Sequence, residues 1–205
     1  MKKLFFDIET LPADESKFEM LKRIYEKKKK KLSPFGQKIG TFEDFIESTG
    51  LDGTFGRIFC ISYAINDGPI SCLAGNEVEI IKKFWEKAQD IDLFVGFNIL
   101  DFDLRFLYQR SIILGIKPSR NLPFSRYRSE PIFDVMYEWS KWSTQNKVSL
   151  DSLAQVLGIP SSKKELEGSK VYEYYKKGKY SEIRAYCNAD VEVLRRIYKR
   201  MMFEK

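Results

Sequence analysis

The sequence predicts an α/β fold in which a mixed central β-sheet is flanked by helices. Three observations carry that expectation. An apolar strand opens the chain, two further strands are joined by a tight turn, and strand-like and helix-like segments alternate over the rest. The 205 residues, 43% hydrophobic and 15% aromatic, suit one domain (1–205) with a full core, elaborated by an insertion at about 11–52.

The opening KKLFFDIET reads as a buried strand, with Leu4, Phe5, Phe6 and Ile8 in a nearly continuous apolar run. Residues 11–52 have helical and loop character, and the Lys27–Lys31 run reads as a solvated helix end, with phosphate tracking as the second reading. RIFCISYAIND and GPISCLAGN form two strands about the turn Asn66-Asp67-Gly68. Val78, Ile81, Phe84, Trp85 and Ala88 recur at helical spacing. DLFVGFN is another apolar strand, and DFDLRFLYQRSIILGI continues as a helix stopping near Gly115. KPSRNLPFSRYRSEP is a loop, and IFDVMYEW is a strand or a strand-to-helix junction. SLDSLAQVLGIP reads as a short capped helix ended by Gly158 and Pro160, and two last helices follow.

Histidine is absent. That removes Ser-His-Asp and Cys-His catalysis and imidazole zinc sites, leaving carboxylates, lysines, tyrosines or oxygen-bound metals to do any chemistry. Cys60, Cys72 and Cys187 are odd in number and lack metal-ligand spacing, so they are read as free thiols in a reducing cytoplasm. Cys60 and Cys72 could face each other on neighbouring strands. No apolar run reaches bilayer length, and the N-terminus is not read as a signal peptide. The formal charge of +6 and pI of about 9.0 suit a polyanionic partner.

Three places carry acids that break their local pattern. Asp7 and Glu9 share one face of the opening strand, about 6–7 Å apart. Asp101 and Asp103 lie at a strand-helix junction. Asp190 interrupts the stripe Ile183, Tyr186, Leu194, Ile197, Met201 on the last helix. Each has an ordinary explanation: a solvated strand end, a helix N-terminus, a surface ion pair. Taken together, inward-facing carboxylates repel and raise one another's pKa unless a cation neutralises them. Oxygen-only ligation calls for Mg²⁺ or Mn²⁺, and two such ions suit phosphodiester hydrolysis.

FFDIET, NILDFD and YCNAD together resemble the three exonuclease motifs of the tyrosine-type DEDD superfamily, in the order found in the proofreading domain of family B DNA polymerases. SLDSLAQVLGIP, EGSKV and IRAYCNADVEVL are similar to stand-alone exonucleases related to that domain. The resemblance implies a ribonuclease H-like fold and removal of nucleoside monophosphates from a 3′ end, with DNA favoured, single strands preferred and RNA possible. It implies that Asp7 bridges two metal ions, that Glu9 and Asp190 complete one site, and that Asp103 rather than Asp101 holds the other. Tyr186 would orient the attacking water, while Asn98 and Phe102 would contact substrate or brace the second motif. Arg120, Arg126 and Arg128, interleaved with Phe124 and Tyr127, are the mixture that tracks single strands; a solvated loop is the equal alternative. Other readings of the chain are an idle nucleic-acid-binding or docking module and a ribonuclease H-type endonuclease.

Overall fold

The computed structural model describes residues 1–32, 40–143, 145, 147–161 and 166–204. Five strands form one sheet: β1 (Lys3–Leu11), β2 (Arg57–Ile65), β3 (Ser71–Ala74), β4 (Leu93–Gly96) and β5 (Ile132–Asp134), in the order β3-β2-β1-β4-β5. The β2–β3 hairpin turns at Asn66-Asp67-Gly68, where Asn66 takes a φ of 51° and the Gly68 amide donates to Ile65 O at 2.9 Å. β1–β2 and β2–β3 are antiparallel, while β1–β4 and β4–β5 are parallel. The sheet is therefore mixed, with β1 at its centre.

Alternation along β1 divides the core. Leu4, Phe6 and Ile8 pack towards α3 (Glu77–Ala88) and α4 (Asp103–Ile113). Phe5 packs on the other face with Val191, Leu194, Ile197 and Tyr198 of α8 (Tyr180–Met201). Asp7 and Glu9 continue the Phe5 face, so the pleat itself delivers them to α8.

Two details of pairing shape the site. The β1–β4 ladder ends at Phe5↔Val95, so the next turn of β1 is unpaired on that side. On the other side a bulge falls between Glu9 and Thr10: Glu9 pairs with Cys60 and Thr10 with Ile58, leaving Phe59 without a partner.

The insertion forms α1 (Phe18–Leu32), α2 (Phe42–Ser48) and short 3₁₀ turns, and residues 33–39 of it lie outside the described residues. It carries its own small core of Ala13, Leu21 and Ile46 beneath Phe18, Phe42 and Phe45. The Thr10 hydroxyl donates to Gly50 O at 2.6 Å, and the Ala13 amide donates to Thr49 Oγ1 at 2.9 Å, tying the insertion to the end of β1. Lys27–Lys31 are exposed, as a solvated helix end requires, with Lys28 over the Phe45 ring and Lys29 over that of Tyr25.

Between β5 and α8 the chain forms α5 (Val135–Ser140), α6 (Leu150–Val156) and α7 (Val171–Lys176). IFDVMYEW is thus both a strand and a helix, switching at Asp134. No helix among the described residues is long and apolar enough to cross a membrane.

Candidate active site

Carboxylates from one strand and two helices meet at the open end of β1. Glu9 is 8% exposed, Asp103 3% and Asp190 7%; Asp7 is half-buried. Asp103 opens α4, and its Oδ1 accepts the Ile8 amide at 3.1 Å. That amide lies between Asp7 and Glu9 and is free because β4 pairing has already ended. The gap in the ladder is what docks the α4 carboxylate onto β1.

α8 supplies the third side. The Ser62 hydroxyl donates to Asn188 Oδ1 at 2.8 Å, fixing the helix against β2. One residue earlier the Cys187 thiol donates to Asp7, 3.5 Å from its carbonyl oxygen and 3.4 Å from Oδ2. Tyr186, half-buried beside Leu166, Val171 and Ile183, stands one helical turn before Asp190, whose carboxylate acts on its hydroxyl.

The electrostatics follow from burial and like charge. Burial first, then Cys187, Asp103, Glu9 and Asp190, push the Asp7 carboxyl well above its ordinary value. Burial, Cys187, Asp190 and Asp103 do the same to Glu9. Asp103 is pushed up to about 7, chiefly by burial, although its own amide and that of Ile8 favour the charged form. Burial and the carboxylates of Asp190, Glu9 and Asp7 hold the Tyr186 hydroxyl protonated far above the ordinary range. The leading influences on Asp7 and Glu9 all act in one direction, towards the protonated form.

This donor set fits hard divalent cations. Single ligand atoms of Asp7, Glu9 and Cys187 lie within 4.8 Å of one another, and the oxygens suit Mg²⁺ or Mn²⁺. Cys187 is the member that the sequence reading misses, because a buried cysteine on an amphipathic helix breaks no local pattern. All three cysteines are free thiols.

Asp101 and Asp103 separate cleanly. Asp101 accepts the Tyr137 hydroxyl and lies 3.5 Å from Arg105 and 3.9 Å from Lys147, away from β1. Asn98 holds a left-handed backbone (φ 58°) with its Oδ1 buried and unpartnered among the described residues. Phe102 lines a cavity of about 270 Å³ with Ile8, Glu9, Thr10, Gly168 and Tyr172, a cleft that ends on the acid cluster.

The arginine loop is not brought to that cleft. Arg120 donates to Ile91 O at 2.8 Å and Gln89 O at 3.3 Å, so it holds backbone together. Phe124 packs on Tyr108 and Tyr127 on Trp142, while Arg126 and Arg128 are exposed. A further acid, overlooked in the sequence, is Asp134. It is 1% exposed and accepts the amides of Asn98, Met136 and Tyr137 on Oδ1 and of Leu100 on Oδ2. Its position at the switch from β5 to α5 was the available signal, since acids favour that place.

Comparison with known proteins bears on the family and the fold. Residues 63–205 match a family model described as "Predicted 3'-5' exonuclease related to the exonuclease domain of PolB". That span holds Asp103, Tyr186 and Asp190 and begins after Asp7 and Glu9. An uncharacterised protein of Methanocaldococcus jannaschii is 28% identical over 134 residues, covering 64% of this chain and 74% of that protein. The family B DNA polymerase of the archaeon Pyrobaculum calidifontis superposes with a TM-score of 0.67 at 17% identity over 99% of this chain. The chain spans 24% of that polymerase's length, and the likeness is one of fold, ribonuclease H-like as the sequence implied.

Proposed function

The chain belongs to the family of predicted 3′-5′ exonucleases related to the exonuclease domain of PolB, and from that premise we propose that it hydrolyses phosphodiester bonds from the 3′ end of a nucleic acid strand, DNA favoured. The reading assigns it to the tyrosine-type DEDD branch. The observation that carries it is the convergence of Asp7, Glu9, Asp103 and Asp190 with Tyr186, drawn from β1, α4 and α8, where burial and mutual repulsion raise the carboxyls of Asp7, Glu9 and Asp103.

Asp7, Glu9, Asp103 and Asp190 would hold two Mg²⁺ or Mn²⁺ ions. Bound there, the ions would make water more acidic and offset charge on the leaving oxygen. The protein's own groups do the rest. Asp103, fixed by the Ile8 amide, sets the distance between α4 and β1. Tyr186 stays protonated beside Asp190 and offers its oxygen lone pairs to a water, fixing that water's direction of approach. The cleft lined by Phe102, Thr10 and Tyr172 receives the terminal nucleotide, with Phe102 positioned against its base or sugar. Arg126 and Arg128, exposed on the loop before β5, remain available to a longer strand.

The test is a panel of single-stranded, recessed, blunt and circular substrates, as DNA and as RNA, with Mg²⁺ or Mn²⁺. Shortening from the 3′ end is expected, with no cutting of circles. Asp7→Ala and Asp190→Ala should each lose activity by at least about 100-fold, the scale of losing a group that stabilises transition-state charge. Degradation at the wild-type rate by either variant, or internal cutting of circles, refutes the reading.

A further inference from the structure

A second and larger cavity, of about 580 Å³, opens at the same end of the sheet but nearer its β3 edge. α7 separates it from the acid cluster: Val171 and Tyr172 line the acid-side cleft, whereas Tyr175 lines this one. Its walls are β2 at Arg57, Ile58 and Phe59, the β3–α3 connection at Ala74–Glu77, and the first turns of α8 at Tyr180 and Arg184.

Three features give this cavity a chemical character. The first is aromatic. The bulge in β2 leaves Phe59 outside the β1 ladder, and its ring joins those of Tyr175 and Tyr180, with all three centroid separations between 5.2 and 5.7 Å. Tyr180 is 45% exposed, so this wall presents a ring to solvent.

The second is cationic. The Arg57 guanidinium lies 5.4 Å from the Tyr175 ring centroid, with a terminal nitrogen 3.5 Å from the Tyr175 hydroxyl, and its Nε is buried with no hydrogen-bond partner among the described residues. Arg184 lines the cavity from an exposed position on α8. The acid in the lining, Glu77, is already neutralised: it receives Arg110 at 2.9 and 2.8 Å and the Ile58 amide at 2.7 Å.

The third is the backbone. α3 and α8, of 12 and 22 residues, both begin at this cavity, and the partial positive charge of a helix start favours an anion. Gly75, at φ 121°, leaves open space where a side chain would stand.

We propose that this cavity is a second binding site, distinct from the acid cluster, for a nucleoside monophosphate unit. The phosphate lies against Arg57 and Arg184, whose planar forks match its oxygens. The base lies against the Phe59, Tyr175 and Tyr180 rings. The same unit can arrive as a free mononucleotide or as one nucleotide of a strand.

Calorimetric titration of the full chain in EDTA tests this without hydrolysis, so its outcome is independent of whether the acid cluster cleaves. Adenosine 5′-monophosphate should bind at least tenfold more tightly than adenosine or inorganic phosphate, since each lacks half of the recognised unit. Arg184→Ala and Tyr180→Ala, both at exposed side chains, should each weaken it at least fivefold, and Asp7→Asn should leave it unchanged. A ten-nucleotide oligothymidylate binding at least tenfold more tightly than the mononucleotide, with the advantage lost in Arg184→Ala, identifies a strand as the source. Equal affinity identifies the free nucleotide. Absence of binding, or binding that survives Arg184→Ala and fails in Asp7→Asn, overturns the proposal.

Discussion

Asp101 and Asp103 differ in what they touch, and that difference separates a supporting residue from a candidate ligand. Two positions apart, one accepts a tyrosine hydroxyl near Arg105 and Lys147, and the other is sealed against the Ile8 amide. Tyr186 poses the sharper question, because a half-buried aromatic on an amphipathic helix is ordinarily core. Its hydroxyl feels the carboxylates of Asp190, Glu9 and Asp7, an environment that a merely packed ring does not need. Tyr186→Phe keeps the ring and removes that hydroxyl. It should lower kcat by roughly 10- to 100-fold, with thermal stability and Mn²⁺ affinity nearly unchanged by calorimetry. An equal loss of metal affinity would make the tyrosine a support for Asp190. Cys187, its neighbour, was illegible for a physical reason: a buried cysteine on an amphipathic helix breaks no local pattern as Asp190 does, and only the fold brings it to Asp7.

At the scale of elements, the sheet and helices were readable because their periods differ. β1, the β2–β3 hairpin, α3, α4 and α8 all fall where apolar spacing places them. Invisible to periodicity was how the elements interlock, since that depends on where pairing stops. The β1–β4 ladder ends at Phe5, and only that gap lets α4 dock through Asp103. Asp134 performs the equivalent task one strand over. Its carboxylate gathers four backbone amides, from the turn at Asn98–Leu100 and from the start of α5, and so joins the segment leading into α4 to β5. Asp134→Ala would leave those donors without an acceptor in a site 1% exposed. It should cost about 3 kcal/mol or more in urea unfolding, and it should lower activity although Asp134 is not among the described residues that line the 270 Å³ cleft at Glu9. Unchanged stability would show that the Asn98 turn holds without it.

For the whole molecule, the acid cluster sets a conflict between folding and function that pH and metal should expose together. A carboxylate whose folded pKa lies above its unfolded value binds a proton in the native state that the unfolded chain has already released. Stability from such a group is complete below the unfolded value and is lost as pH rises through the folded one. Asp103 spans from its ordinary 3.8 to about 7, and Asp7 and Glu9 are shifted in the same direction. Carboxylates moved the other way, Asp14 by the Ser16 amide and Glu192 by Arg196 and Arg195 against its own burial, lose their contribution only below the ordinary carboxylate range, outside this window. In EDTA the urea midpoint should therefore fall between pH 5 and pH 8, and Asp103→Asn should flatten that fall. Mn²⁺ competes with protons for the same oxygens, so its stabilisation should grow over the interval in which the metal-free protein weakens. At a hundredfold excess over Kd the gain should be about 2.7 kcal/mol, or roughly 5–10 °C in Tm for a chain of this size. A midpoint insensitive to pH in EDTA, or a Tm that Mn²⁺ does not raise at pH 8, would mean that Asp7 and Glu9 are compensated within the protein, and the case for metal at the end of β1 would fail.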